Sequence, residues 1–219
     1  MLQAYDLADA RLIEYCRQQA SSVDDITSPR HMALQYVPLR TMVVLGASNS
    51  VENSVYRESC SRDAIPIIQR PSGGEAVLIS PQTLLFSHCM LAKALPRSAD
   101  FFHQNLRLFT LTLEELGVQD LRYNGISDLC IGERKILGCA IYRRPGMVLF
   151  QAVLNVDLDP SLIVKYLRQP ARMPDYRKNR SHDQFVTSLR AEGYAIAIQE
   201  IDLPRIMGKQ GIHLSPVPG

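Results

Sequence analysis

Between residues 128 and 156 the chain reads as three extended runs, at 128–131, 136–142 and 147–156, separated by Glu133-Arg134-Lys135 and by Arg143-Arg144-Pro145-Gly146. Linkers this short can turn a chain back on itself but cannot hold a crossover helix, so the three runs form an antiparallel meander. The remaining sequence must then supply what covers that sheet.

Residues 99–116 carry Phe102, Leu106, Phe109, Leu113 and Leu116 at three- and four-residue steps, with Gly117 as a stop, which predicts a helix with one buried face. Residues 7–19 place Leu7, Leu12, Ile13 and Cys16 on one side, predicting an amphipathic helix packed on the outside of the sheet. Further strands are read at 33–36, 41–45, 65–68, 76–79 and 84–90, and short helices at 52–60 and 161–167. Another helix begins at Ser181, where Ser181-His182-Asp183-Gln184 has capping-box spacing, and the closing HLSPVPG reads as frayed. Strands interleaved with helices make an α/β (α+β) chain.

At 219 residues the length fits one substantial domain, 1–219. A composition 46% hydrophobic and 21% charged excludes collagen-like, low-complexity and disordered classes. Lys and Arg total 24 against 22 Asp and Glu, too balanced to advertise nucleic acid or an anionic membrane as partner, so any anion is handled locally. No apolar run approaches the roughly 18 residues of a membrane-spanning helix. Five cysteines without a CxxC pair, behind an N-terminus without the plan of a secretory signal, point to a reducing cytoplasm.

Two clusters could carry chemistry. In Arg70-Pro71-Ser72-Gly73-Gly74-Glu75-Ala76-Val77 the paired glycines let backbone N–H groups approach an anion, Ser72 adds a hydroxyl and Arg70 a positive fork. The same stretch also suits an ordinary turn between strands. In the second cluster, Asp128-Leu129 to Lys135 and Gly138-Cys139-Ala140, an ammonium at the start of a strand can neutralise an acyl or phosphoryl oxygen as charge develops on it. A solvated hairpin lysine with Asp128 as its surface partner is the alternative.

In this order and at this separation the clusters resemble the lipoate–protein ligase A and octanoyltransferase branch of the biotin/lipoate ligase family. That family's Arg-x-Ser-Gly-Gly-Gly-Ala-Val pattern is matched from Arg70 to Val77 except at Glu75. Its Asn-Asp-Leu-type strand leading into Gly-Arg-Lys-x-x-Gly-x-Ala is matched by Asp128-Leu129, Arg134-Lys135, Gly138 and Ala140. Pro174-Asp175-Tyr176-Arg177, Arg180-Ser181-His182 and Phe185-Val186-Thr187 are similar to the closing pattern of one ligase-like branch. The Gly-Arg-Gly-Arg loop of the biotin ligases is not present.

The resemblance implies a mixed, mostly antiparallel central sheet flanked by helices, related to the core of class II aminoacyl-tRNA synthetases. It implies that lipoate or octanoate is activated by ATP, with Mg as the nucleotide's companion, to a lipoyl-adenylate or its octanoyl counterpart. The acyl group then passes to a lysine of a lipoyl domain of a 2-oxoacid dehydrogenase E2 or of a glycine-cleavage H protein. Under it Lys135 is catalytic, touching the acyl carbonyl and the adenylate phosphate. Arg70, Ser72, Gly73, Gly74, Glu75 and Ala76 lie against the acyl-adenylate, Asp128 lies on its adenine or ribose side, and Gly138, Cys139 and Ala140 line the strand beside it. Thr83 and Gln151 stand where the family places an asparagine and a histidine. No resident metal is implied.

The departures carry their own expectations. Glu75, in place of a third glycine, must turn outward, pair with a cation such as Arg70 or a metal, or weaken ATP binding. Gln151-Ala152-Val153 replaces His-Gly-Thr. The accessory C-terminal domain of two-domain ligases is missing from the pattern, so a separate accessory chain supplies it or the chemistry does without. Acyl carrier protein-dependent transferases of the family use a cysteine nucleophile at positions held here by Leu121 or near Asn155. That leaves Cys139, whose thiol the Lys135 ammonium could acidify, with simple packing as the alternative. A third reading is a non-catalytic acyl-adenylate- or carrier-binding relative, prompted by Glu75 and Gln151. His182 reads as a surface histidine in a helix cap. Arg168, Arg172, Arg177, Lys178 and Arg180 read as solvated loop charges or a docking face for an acidic carrier.

Overall fold

A computed structural model describes residues 2–3, 6–170 and 173–216, with Asp24 and Asp25 as backbone only. In chain order the strands are β1 (Leu2–Gln3), β2 (Arg30–Tyr36), β3 (Met42–Leu45), β4 (Ile67–Gln69), β5 (Val77–Ile79), β6 (Thr83–Leu91), β7 (Leu121–Asn124), β8 (Asp128–Ile131), β9 (Arg134–Arg144) and β10 (Met147–Asn155). The α-helices are α1 (Ala10–Gln19), α2 (Val51–Ser54), α3 (Arg57–Arg62), α4 (Ser98–Glu115), α5 (Pro160–Tyr166), α6 (His182–Phe185) and α7 (Leu203–Lys209).

The expected meander is present, and β2, β6 and β7 extend it to an antiparallel sheet in the order β2-β6-β10-β9-β8-β7. The remaining strands form a second sheet rather than prolonging the first, in the order β1-β4-β3-β5. Its β1–β4 and β3–β4 pairs are parallel and its β3–β5 pair antiparallel. The architecture is therefore mixed and mostly antiparallel with flanking helices, divided between two stacked sheets.

β10 lies between β6 and β9 and is apolar in all but two of its positions, as a strand covered on both faces should be. Val148, Phe150, Ala152 and Leu154 join Phe86 and the apolar stripe of α4, including Phe101, Phe109 and Leu113. On the opposite face Met147 and Leu149, with Cys89 and Met32, receive Leu12, Ile13 and Cys16 of α1. Further along that face the second sheet takes over, packing Met42, Val44, Ile68 and Ile79 on Leu85 with Val153 at its margin.

Several boundaries move for identifiable reasons. α1 starts at Ala10, because the Asp9 carboxylate accepts from Tyr36, Ser87 and Gln151 instead of capping the helix. The helix expected at 52–60 breaks into α2 and α3, because Val55 bridges to Leu167 and Tyr56 N donates to Tyr166 O at 2.9 Å. α4 ends as expected, with Gly117 at φ +86° and Val118 N donating to Leu113 O at 2.9 Å. β7 carries no strand signal in the sequence, because it is a short edge strand rich in polar residues. The tail is not frayed where it is described: Leu214 bridges to His31, and Ser215 N donates to His31 O at 2.7 Å; Val217, Pro218 and Gly219 lie outside the described residues. Among the described residues no helix is long and apolar enough to cross a membrane.

Under α4, His88 is fully buried with Nδ1 2.7 Å from Asn105 Oδ1 and Nε2 3.0 Å from His31 Nδ1. Asn105 Nδ2 donates to Phe101 O, so Asn105 Oδ1 faces His88 as an acceptor and the His88 proton sits on Nδ1. Burial lowers the His88 pKa from 6.5 to about 3. Above pH 6.5 the ring is neutral in both folded and unfolded chains; below it, the unfolded chain takes up a proton that the fold refuses until about pH 3. Stability is thus lost as pH falls through this window, by up to about 1.4 kcal/mol per pH unit for one such group. Urea denaturation should show the midpoint falling between about pH 6.5 and about pH 5, with a shallower fall in His88→Gln.

Candidate active site

β3 and β4 are parallel neighbours, so the segments that follow Leu45 and Gln69 emerge side by side. Arg70 N donates to Leu45 O and Ala47 N to Ser72 O, both at 2.9 Å, while Gln69 Nε2 reaches the carbonyls of Gly46, Ala47 and Asn49 at 3.2 Å. A Cβ on Gly46 would lie 1.9 Å from Gly74 O, so only glycine lets the two loops meet. Arg70 is buried, and its guanidinium donates to Ser72 Oγ (3.0 Å), Val44 O (3.2 Å), Gly73 O (2.7 Å) and Glu75 O (2.9 Å). It closes its own loop, a different use of the positive fork from direct grasp of a ligand. Gly74, at φ +86°, is the conformationally demanding member of the glycine pair, while a Cβ on Gly73 would meet nothing within 4 Å. Glu75 is exposed at the cavity margin, where its carboxylate accepts from Asn49 Nδ2 at 3.3 Å; Arg70 takes its backbone carbonyl, not its carboxylate.

Across the cavity, a register shift between Leu129 and Cys130 sets Asp128 opposite Gly138 and Cys130 opposite Lys135. The Lys135 side chain folds back over Gly138, where a Cβ would lie 2.7 Å from Nζ and 2.8 Å from Cε. This is the physical reason for a glycine three residues after the lysine. Lys135 Nζ is 2.8 Å from Asp128 Oδ1, and the lysine side chain is only 25% exposed, so it is not a solvated hairpin lysine. Asp128 also accepts from Ser127 Oγ (3.3 Å) and, through Oδ2, from Tyr176 OH (2.6 Å). Burial first and the Asp128 charge second push the Tyr176 phenol well above its ordinary range. The Lys135 backbone is held from outside, with Thr187 N donating to its carbonyl at 2.9 Å.

Cys139 does not behave as an activated thiol. Its Sγ donates to Ser127 O at 2.9 Å, and burial together with Asp128 pushes its pKa well above the usual value, against a smaller opposing effect of Lys135. Thr83 stands outside the cavity wall; its hydroxyl donates to Ser80 O (2.8 Å) and accepts from Ser80 N (3.0 Å), stapling the turn between β5 and β6. His182, expected at the surface, is buried at the cavity wall with Nε2 3.1 Å from Arg168 O, and burial lowers its pKa. The basic loop is divided, with Arg168 and Lys178 exposed as expected and Arg177 and Arg180 packed inward. Arg177 is 4% exposed, and its guanidinium and that of Arg180 lie 4.9 and 5.2 Å from the Phe185 ring centroid. Arg172 lies outside the described residues.

These elements enclose a cavity of about 530 Å³. Leu7, Val44, Ile79, Leu85 and Val153, which pack together, form an apolar part of its wall beside the polar Asp9, Ser87 and Gln151, and Asp128, Lys135, Tyr176, Arg177 and His182 supply charged and titratable groups. Of the residues singled out in the sequence, Arg70, Gly74, Glu75, Ala76, Gly138, Cys139, Ala140 and Gln151 also line it. Ser72 is fully buried behind the wall and donates to Gln151 Oε1 at 2.7 Å, and Gly73 is likewise off the lining. Gln151 Nε2 in turn donates to Asp9 Oδ2 at 2.8 Å, which links the Arg70 loop through Ser72 and Gln151 to the start of α1. Asp9 and Tyr176 were missed as site residues. An aspartate before an amphipathic helix looks like any N-cap, and Tyr176 carried no signal beyond its place in the closing pattern.

Residues 15–204 match the family model of the lipoyl protein ligase A/B catalytic domain. A probable lipoate-protein ligase A of Mycoplasma pneumoniae is 28% identical over 125 residues, which is 57% of this chain but only 36% of that protein. The structure of a bipartite lipoate protein ligase and its E2 lipoyl domain from Thermoplasma acidophilum superposes with TM-score 0.76 at 20% identity, covering 98% of this chain and 84% of that one. A T. acidophilum ligase structure with bound lipoic acid gives 0.71 at 19% identity over 95% and 83% of the two chains. A lipoate-protein ligase A bound with ATP gives 0.71 at 19% over 95% and 82%. At such identities these structures establish the shared fold, and the family model covers most of the sequence: the chain belongs to the lipoyl protein ligase A/B catalytic-domain family.

Proposed function

We propose that this chain is a lipoate–protein ligase-like acyltransferase. The carboxylate of lipoate, or of octanoate, attacks the α-phosphorus of ATP and releases pyrophosphate; a lysine amine of a lipoyl domain or H protein then attacks the acyl carbonyl and releases AMP. The observation that carries this reading is one cavity of about 530 Å³ whose wall joins apolar side chains, among them Val44, Ile79, Leu85 and Val153, to Lys135 and its partner Asp128. Lys135 offsets the negative charge that develops on the acyl carbonyl and phosphate oxygens, and the buried Arg70 charge supports the nucleotide side. Asp128 keeps the ammonium in place, Gly138 and Ala140 leave the ligand room, and Gly74, Glu75, Ala76, Cys139 and Gln151 complete the binding surface, with Ser72 and Gly73 shaping it from behind the wall. The names of related proteins favour the same substrates, since one structure holds lipoic acid and another ATP.

Mg²⁺ would be carried chiefly by the nucleotide's phosphates, because among the described residues no three His, Cys, Asp or Glu side chains converge as a metal site. Residues 1–219 would act as one cytoplasmic catalytic domain, with or without a separate accessory chain. The carrier-protein-dependent transferase is disfavoured by the raised pKa of the Cys139 thiol. The Glu75 carboxylate is engaged by Asn49 at the exposed margin of the cavity, an arrangement compatible with a bound nucleotide.

Incubation with lipoic acid, MgATP and an E2 lipoyl domain, with and without an added accessory ligase chain, should raise the lipoyl domain's mass by one lipoyl group; no product in either arm refutes the reading. Lys135→Met should lower kcat/KM on the order of 10²-fold or more while the melting temperature is retained. Gly138→Ala should displace the ammonium and cost on the order of 10²-fold in kcat with the fold intact, because the atoms it strikes are the end of a flexible side chain.

A further inference from the structure

We propose that Tyr176 is a positioning residue for Lys135, acting through Asp128; its bearing on acyl transfer rests on the reading above. A carboxylate turns easily about its terminal torsion, and an ion pair to one oxygen does not fix its plane. Asp128 is held at both: Oδ1 faces Lys135 Nζ at 2.8 Å, and Oδ2 accepts from Tyr176 OH at 2.6 Å. Asp128 is 5% exposed, so little water competes for either oxygen. The phenol therefore fixes the carboxylate plane, and the plane fixes the ammonium over Gly138.

Tyr176 is itself firmly placed. Its ring sits against Gly125, where a Cβ would lie 3.1 Å from Tyr176 Cε1, and its centroid is 5.9 Å from that of Phe185. Its carbonyl accepts from Arg180 Nη2 at 3.0 Å, while Arg180 Nη1 donates to Glu133 O at 3.0 Å, beside the start of β9. Lys178 and Asn179 take left-handed conformations, at φ 51° and 57°, that fold this strap tightly behind the tyrosine. The strap is no part of either sheet, yet it supplies the contact that orients the Lys135–Asp128 pair from 48 residues beyond Asp128. Burial and the neighbouring carboxylate keep the phenol protonated, so it remains a donor at any working pH.

The test is trace labelling of Lys135 with acetic anhydride, read by peptide mass spectrometry, in a double-mutant cycle. Tyr176→Phe keeps the ring contacts and should raise the Lys135 labelling rate about fivefold, the factor equivalent to one hydrogen bond of about 1 kcal/mol. In an Asp128→Asn background the same substitution should change the rate less than about 1.5-fold, since the path through Asp128 is already cut. Unchanged or slower labelling in Tyr176→Phe, or an equal acceleration in both backgrounds, overturns the assignment. With lipoic acid and MgATP, kcat of Tyr176→Phe should fall about tenfold with KM for lipoic acid within about twofold, the split expected of lost positioning; an unchanged kcat also overturns it. If the wild-type chain neither turns over nor modifies a lipoyl domain, the ligase reading fails, while the labelling cycle still decides the role of Tyr176.

Discussion

The pairing of β10 between β6 and β9 is the constraint from which the rest of the molecule follows. With both edges satisfied, residue parity along β10 decides where each side chain goes. Val148, Phe150, Ala152 and Leu154 enter the core beneath α4, while Gln151 and Val153 open onto the cavity and Leu149 closes beneath α1. A slip of one residue would exchange a phenylalanine for a glutamine in the core, so the register is strongly specified. The cavity is the part of that second face that neither α1 nor the four-stranded sheet fills.

Each cluster at the cavity uses its charge differently. Lys135 is exposed enough to meet a ligand and is held at its tip by Asp128, over a glycine that makes room for it. Arg70 is turned into its own loop, so its value lies in the shape it imposes and in the field it leaves behind. The link from Arg70 through Ser72 and Gln151 to Asp9 makes the start of α1 a supporting element of the site.

Much of this was legible in the sequence. Periodicity located α4 and the meander, since both bury a regular face, and the two motif clusters pointed to residues that do converge on one cavity. The division into two sheets was not legible, because strands of three or four residues give no sign of which partner they choose. Nor was the fate of individual side chains. Cys139 and Lys135 are four apart, a spacing that allows the ammonium to acidify the thiol or the thiol simply to pack, and desolvation at Cys139 outweighs the nearby ammonium. Thr83 fell in a plausible place in the pattern, yet a turn claims its hydroxyl. Tyr176 and Asp9 reach the site through hydrogen bonds spanning 48 and 142 residues of chain, a distance over which no local pattern operates.

The burial of Arg70 has a consequence for ionic strength. A surface lysine attracts an anion through water, and salt near physiological concentration screens that attraction beyond about 8 Å. The Arg70 guanidinium is 8% exposed and tethered to its own carbonyls, so mobile ions have little access to it. The contacts by which Arg70 shapes the loop therefore persist in concentrated electrolyte, where an exposed ion pair of the same charge would be weakened.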